Sequence, residues 1–316
     1  MAITIRNAIL HVLYGAGKSA VLSETELDID SETCEVFILK HVKKLFDSSI
    51  VRKATFKPSS EVYKYLLDYN NFIKTTHILT EIFNSKKPSN IEPCDLLFAK
   101  IIHKTGVYMA ILKLGYQEVY THNISNSDNQ IKKHMALPNG KVEYAALIEL
   151  NGTSMPINII EKPVIVDGES ILYFSELFLE CETSLSQKEQ AILLNEANEE
   201  FVMEYYKRDP ALSAKINTAI SQENEIISIE NIAEKVFNDS DIKEKYVNTI
   251  QEAGLSDEMP LENKVIKQQF GTQRIKGENG IEIKFPSELV ANENELEIKQ
   301  HNDGTVTVTI KRLRIV

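Results

Sequence analysis

The run Gly15-Ala16-Gly17-Lys18-Ser19 sets a lysine and a hydroxyl directly after closely spaced glycines, the residue types that cradle phosphate in a phosphate-binding loop. That loop needs a further glycine five residues before Gly17, and the position holds Val12. The residues after Lys18 also alternate like a strand, whereas phosphate is held at the N-terminus of a helix. The segment is therefore read as a hairpin turn rather than a nucleotide site. Histidines stand at His11, His41, His77, His103, His122, His134 and His301 with no His-x-x-x-His pair, and Cys34, Cys94 and Cys181 form no Cys-x-x-Cys. No metal-ligand spacing is present. His103 and His122 are read as turn or edge residues. No Gly-x-Ser-x-Gly elbow and no kinase or hydrolase motif set occurs. No catalytic residue, metal or cofactor is assigned, and the protein is expected not to be an enzyme.

What remains is positive charge. Lys40, Lys43, Lys44, Arg52, Lys53 and Lys57 put six cations in eighteen residues, diluted only by Asp47, and Lys311, Arg312 and Arg314 stand near the end. Phosphate contacts draw on such groups in number, because each neutralised phosphate releases counterions. These nine residues are the candidate nucleic-acid contacts. The blander reading is a solvated helix face and a solvated tail, and neither cluster has the interleaved aromatics of a single-strand binder. The overall balance points the other way: net charge is −11, and residues 161–262 alone carry 8 Lys+Arg against 23 Asp+Glu. That acidic middle repels an anionic partner and suits a basic one.

A chain of 316 residues exceeds one comfortable core, and 43% hydrophobic with 26% charged residues is ordinary for a globular protein. No apolar run reaches the roughly 18–20 residues of a membrane helix. No signal-peptide pattern opens the chain, and three dispersed cysteines fit a reducing cytoplasm.

The elements that must position the charges follow from periodicity. Leu96–Ile102 and Val107–Leu114, joined by His103-Lys104-Thr105-Gly106, are nearly continuous apolar runs. They predict a hairpin at the sheet centre with both faces covered, extended by Gln117–His122. Ile3–Leu13 reads as a first strand and Ser19–Leu27 as its return. Helices are expected at 32–47, capped by Asp30 or Ser31, after Ser59 or Ser60, and from about 72 to 83; 50–57 is extended or loop. Residues 123–130 read as a loop or helix start. Strands are expected at 142–150, 156–162 and 171–174, the last two around Asp167-Gly168, with the sheet finishing near Cys181. Ser186 and Glu189 make a capping box before a long helix, followed by helices from Pro210, Ser228 and Asp239, the last ended by Gly254. Strands return after about Lys264, at 272–276, 281–285, 295–300 and 305–311, the last two joined by a hairpin turn at His301-Asn302-Asp303-Gly304. The fold expected is α+β: an N-terminal mixed α/β sheet domain at 1–183 with its central hairpin at 95–122, an acidic helical segment at 184–262, and a small C-terminal β module at 263–316.

Asn7-Ala-Ile-Leu-His-Val-Leu13, the hairpin Leu96–Leu114 after a pair of helices, Gly280-Ile-Glu-Ile-Lys-Phe-Pro-Ser-Glu-Leu289 and Thr307-Val-Thr-Ile-Lys-Arg-Leu-Arg314 together resemble the bacterial nucleoid-associated proteins of the NdpA (YejK-like) type. The resemblance implies a cytoplasmic, nucleoid-located protein that associates with double-stranded DNA, directly or indirectly, without enzymatic activity. It carries over no defined set of DNA-contacting residues. The leading expectation is DNA binding largely without sequence specificity through the basic patches. The alternatives are a scaffold whose acidic helical segment docks a basic protein partner, and a divergent metal-dependent nuclease. A homodimer is expected from the prevalence of symmetric pairs, and no membrane association is.

Overall fold

The structure, a computed structural model, describes residues 3–314 apart from 16, 68, 70, 105, 125–128, 141, 292, 293 and 302. Expected features at Ala16, Thr105, residues 125–128, Asn302 and the last two residues lie outside the described residues. The chain divides into two compact units, Met1–Ser184 and Leu185–Val316.

In order, the first unit contains β1 (Ile3–Leu13), α1 (Glu32–Asp47), β2 (Arg52–Phe56), α2 (Glu61–Leu67), α3 (Phe72–Lys86), β3 (Cys94–His103), β4 (Gly106–Gly115), β5 (Gln117–Ile124), β6 (Asn129–Ala136), β7 (Tyr144–Glu149), β8 (Ile157–Ile160), β9 (Val164–Val166), β10 (Glu169–Ile171), a π-helix (Phe174–Leu179) and β11 (Cys181–Thr183). Seven strands form one sheet in the order β1-β3-β4-β7-β8-β2-β11, each neighbouring pair antiparallel. The architecture is α+β. The β3–β4 hairpin is interior, flanked by β1 and β7, although the middle position of the sheet belongs to β7.

Strand pleating explains why the hairpin is apolar at every position. Leu96, Phe98, Met109 and Ile111 face a core shared with α2, α3 and the π-helix. Leu97, Ala99, Ile101, Ala110 and Leu112 face the opposite core, closed by Ile38, Val42 and Leu45 of α1. Side chains alternate between faces with period two, so two covered faces require an unbroken apolar run.

Three expected features of this unit differ. Ser19–Leu27 does not return as a strand; among the described residues its backbone pairs with that of β1 through an isolated Val12–Val21 bridge and the Leu27 N–H donated to Ala8 O. Ser23 diverts the backbone, donating its hydroxyl to Leu10 O at 2.5 Å and its N–H to His11 Nδ1 at 3.1 Å. Such local side-chain bonds compete with a ladder. The strand expected at 171–174 gives way to the π-helix, which buries Phe174, Phe178 and Leu179, while Asp167 and Gly168, both at positive φ, turn the short β9–β10 hairpin. Gln117–His122 does not extend the main sheet. It belongs to β5, which pairs with β6 as a separate two-stranded ribbon, so the described ends of the 123–130 stretch are strand.

The second unit holds α4 (Gln187–Tyr206), α5 (Pro210–Ser221), β12 (Ile226–Ser228), α6 (Ile229–Val236), α7 (Ser240–Glu252), β13 (Glu258–Pro260), α8 (Asn263–Phe270), β14 (Thr272–Lys276), β15 (Glu282–Pro286), a 3-10 turn (Ser287–Ala291), β16 (Leu296–Gln300) and β17 (Val306–Ile310). The capping box is formed on both sides: Ser186 Oγ accepts from Glu189 N–H and Glu189 Oε2 accepts from Ser186 N–H. Strands return at Thr272 with β14, as expected, but Asn263–Phe270, left unassigned from the sequence, forms α8 and buries Val265, Ile266 and Phe270 in the helical core. Its exposed lysines and glutamines mask that spacing in the sequence.

Two buried histidines make the first unit sensitive to acid. His11 is fully buried; with Nδ1 accepting from Ser23, Nε2 carries the proton to Thr76 Oγ1 at 3.0 Å, and the Thr76 hydroxyl donates to Ile73 O at 2.9 Å. Burial, and then the adjacent His77, hold its pKa down at about 4. Burial, then Lys44 and Lys40, do the same for His41, also to about 4. The unfolded rings titrate near 6.5 and bind the extra proton first, so stability is full above that pH and falls as pH drops toward 4. The thermal midpoint of the protein is expected to fall over this window. Replacing one titrating ring in His41→Leu is expected to make the fall shallower; an unchanged slope would show that His41 takes no part.

Candidate nucleic-acid interface

Helix α1 carries half of the first basic cluster. Its buried stripe, Ile38, Val42 and Leu45, lies on the sheet, leaving Val36, Lys40, Lys43 and Asp47 along the exposed ridge. Glu32 and Glu35 in the first turn and Lys44 in the last match the helix dipole. Lys43 is exposed and makes no hydrogen bond or ion pair among the described residues. The other two lysines are engaged. Lys40 Nζ donates to Asn139 O, and to its Oδ1 at 2.9 Å, while Lys44 Nζ reaches Gly140 O at 3.4 Å.

Pleating divides the β2 cations. Ala54 points into the α2/α3 core, which places Arg52 on that face and Lys53 on the α1 face. Lys53 Nζ donates to Asn158 Oδ1 at 2.9 Å, and Asn158 Nδ2 donates to Leu45 O at 2.8 Å, so one amide of β8 joins β2 to the last turn of α1. Arg52 Nη1 lies 3.5 Å from Thr183 Oγ1. Lys57 follows β2, its N–H donated to Glu180 O at 2.9 Å. The α1 side therefore gathers Lys40, Lys43, Lys44 and Lys53, and Arg52 stands apart from them.

In the second unit, Lys311 Nζ lies 2.8 Å from Glu297 Oε2 and holds that carboxyl below its usual range. Arg312 and Arg314 are exposed, Arg312 at a positive φ of 59°. Glu196, Glu199 and Glu200 of α4 are also exposed. A cleft of about 770 Å³ beside them is lined by Asn198, Asn217, Gln273, Arg208 and Arg274 as well as Glu199, a mixed set that selects neither sign of charge.

The glycine run does not form a phosphate loop. Gly17 turns at φ 76°, and the next helix among the described residues begins only at Glu32. His103 ends β3, its ring 4.7 Å from that of Phe46, while His122 lies on the separate β5–β6 ribbon. Among the described residues, no group of three or more His, Cys, Asp or Glu side chains is placed to hold a metal ion, and no helix is long and apolar enough to cross a membrane. Two residues that position the cations, Asn139 and Asn158, carry no sequence signal, because they meet their lysines across 99 and 105 residues. Sequence reasoning also missed β6, and with it the placement of Lys132 and Lys133.

The family model described as nucleoid-associated protein YejK (NA37) matches residues 9–314, from β1 through the basic helix and both units to the last arginine. The chain belongs to this family. The match encloses all nine candidate cations and agrees with the resemblance read from Asn7–Leu13 and the C-terminal strands. Membership in the YejK family supports a nucleoid-associated role. None of the curated proteins matches the chain.

The Asn158 link gives a direct test of how the α1 face is held. Asn158→Leu removes both of its side-chain bonds and leaves Leu45 O without that donor, so stability is expected to fall by about 1–3 kcal/mol. Urea unfolding measures it; a loss below a few tenths would mean that the link holds nothing.

Proposed function

We propose that the protein is a non-enzymatic, nucleoid-associated DNA-binding protein of the cytoplasm, which holds duplex DNA by electrostatic contact largely independent of sequence. Membership of the YejK family carries this reading. The four lysines on the α1 side of the sheet supply one contact surface, and Lys311, Arg312 and Arg314 a second. Lys57 stands at the margin of the first cluster, and Arg52, on the opposite face of the sheet, would act apart from it. Phosphate binding by such groups needs number and exposure rather than a shaped pocket, and Lys43, Arg312 and Arg314 are exposed.

Affinity for duplex DNA is expected to fall steeply with salt. In Lys43→Ala/Lys44→Ala/Lys53→Ala, the slope of log affinity against log salt should lose about one for each phosphate contact removed. Titration of labelled duplex at several salt concentrations measures this. Absence of binding at low salt rejects direct contact, and an unchanged slope in both the triple variant and a chain truncated before Lys311 rejects these residues.

A second reading rests on the acidic middle, which carries 23 Asp+Glu against 8 Lys+Arg between residues 161 and 262 and exposes Glu196, Glu199 and Glu200. A basic protein partner docked there would bring the chain to DNA indirectly. Recovery of that partner after nuclease treatment, with no DNA shift by the purified protein, would favour this route.

A further inference from the structure

The β5–β6 ribbon is an exposed element with one apolar face. Among the described residues its two strands pair only with each other, and every described side chain from Gln117 to His122 and from Gln130 to Met135 is exposed except the half-buried Val119. The register sets Glu118 opposite Met135, Tyr120 opposite Lys133 and His122 opposite Ile131. Opposed residues of a hairpin share a face, so Met135, Tyr120 and Ile131 stand on the same side, with Tyr120 diagonal to both. They are 59%, 68% and 78% exposed. The other face carries Val119, Thr121, Lys132 and His134 and has no such stripe.

We propose that this stripe is the contact through which two copies of the chain associate, the ribbon of each laid face to face on the ribbon of the other. Charge argues for a second copy over a nucleic acid. Residues 117–136 contain two acidic and two basic residues, Glu118, Asp128, Lys132 and Lys133, and so have no net charge to offer phosphate. On the apolar face Glu118 already forms an ion pair with Lys133. The face is thus electrically self-complementary, meeting its twin without repulsion despite the net −11 of each chain. A two-fold axis beside Tyr120 would lay Met135 of one copy on Ile131 of the other, the isologous arrangement of symmetric dimers.

Size agrees with this occupant. The three side chains offer about 400 Å² of apolar surface, within the range of functional patches on monomers. Glu118, His122 and Lys133, covered along with them, bring the contact toward the ~800 Å² per partner of a specific interface. A lone two-stranded hairpin is marginal in water, and packing against a second layer supplies what it lacks.

Sedimentation equilibrium of the full chain between about 5 and 200 μM tests the proposal. The protein is expected to dimerise. Tyr120→Asp/Ile131→Asp is expected to weaken the dimer at least ~100-fold, with a circular dichroism spectrum that still reports the folded chain. Thr121→Asp, on the opposite face, is expected to leave the dimer intact. A monomer throughout the range overturns the proposal, as does a dimer indifferent to the double substitution or equally weakened by Thr121→Asp. Loss of DNA binding in the double variant without any change of mass would also overturn it, giving the ribbon to nucleic acid instead.

Discussion

The first unit depends on one constraint: its sheet is apolar on both faces, so each face must be covered. In β3, β4 and β7 successive residues alternate between two cores, and neither face tolerates water. The covering layers come from the chain on either side of the hairpin. Helix α1 closes one face, while α2, α3 and the π-helix close the other. Because α1 lies with its stripe on the sheet, only a single ridge of it can face solvent. That geometry limits how many of its lysines can reach a ligand, whatever the ligand is.

Polar anchoring holds the layers in register. His11 joins β1 to α3 and to the 19–27 segment through Thr76 and Ser23. Glu180 accepts the first N–H of α2 at 3.0 Å and binds Lys86 of α3 at 3.0 Å, fastening the end of the π-helix to both helices. Each anchor replaces a group that would otherwise be buried or left at a helix end without a partner. The family-like His11 therefore has a structural reason to be there, and it is a packing reason.

Much of the fold was legible because it rests on local rules. The β3–β4 runs, the Ser60 and Ser186 caps, Pro210 at a helix start, Gly254 at a helix end and the Asp167-Gly168 turn each state their conformation within a few residues. The failures came where distant contacts override such rules. Ser19–Leu27 alternates like a strand, yet Ser23 bonds to His11 and Leu10 instead. Asn263–Phe270 is polar on most positions but hides a buried stripe. The basic cluster was visible as composition, but its division was not: a run of charges does not reveal that Arg52 and Lys53 leave a pleated strand on opposite sides. Nor does it reveal that Asn139 and Asn158 lie beside the lysines.

The anchoring of Lys40 and Lys44 on the 139–140 loop has a consequence for any anion that approaches α1. Both ammonium groups already have oxygen partners at Asn139 and Gly140. Each ammonium carries three N–H donors, so a phosphate reaching them would take the donors left over while the loop keeps its bonds. That loop follows directly on β6 in the chain. An anion held at the helix would therefore sit against the root of the ribbon, the same two lysines serving the loop and the ligand at once.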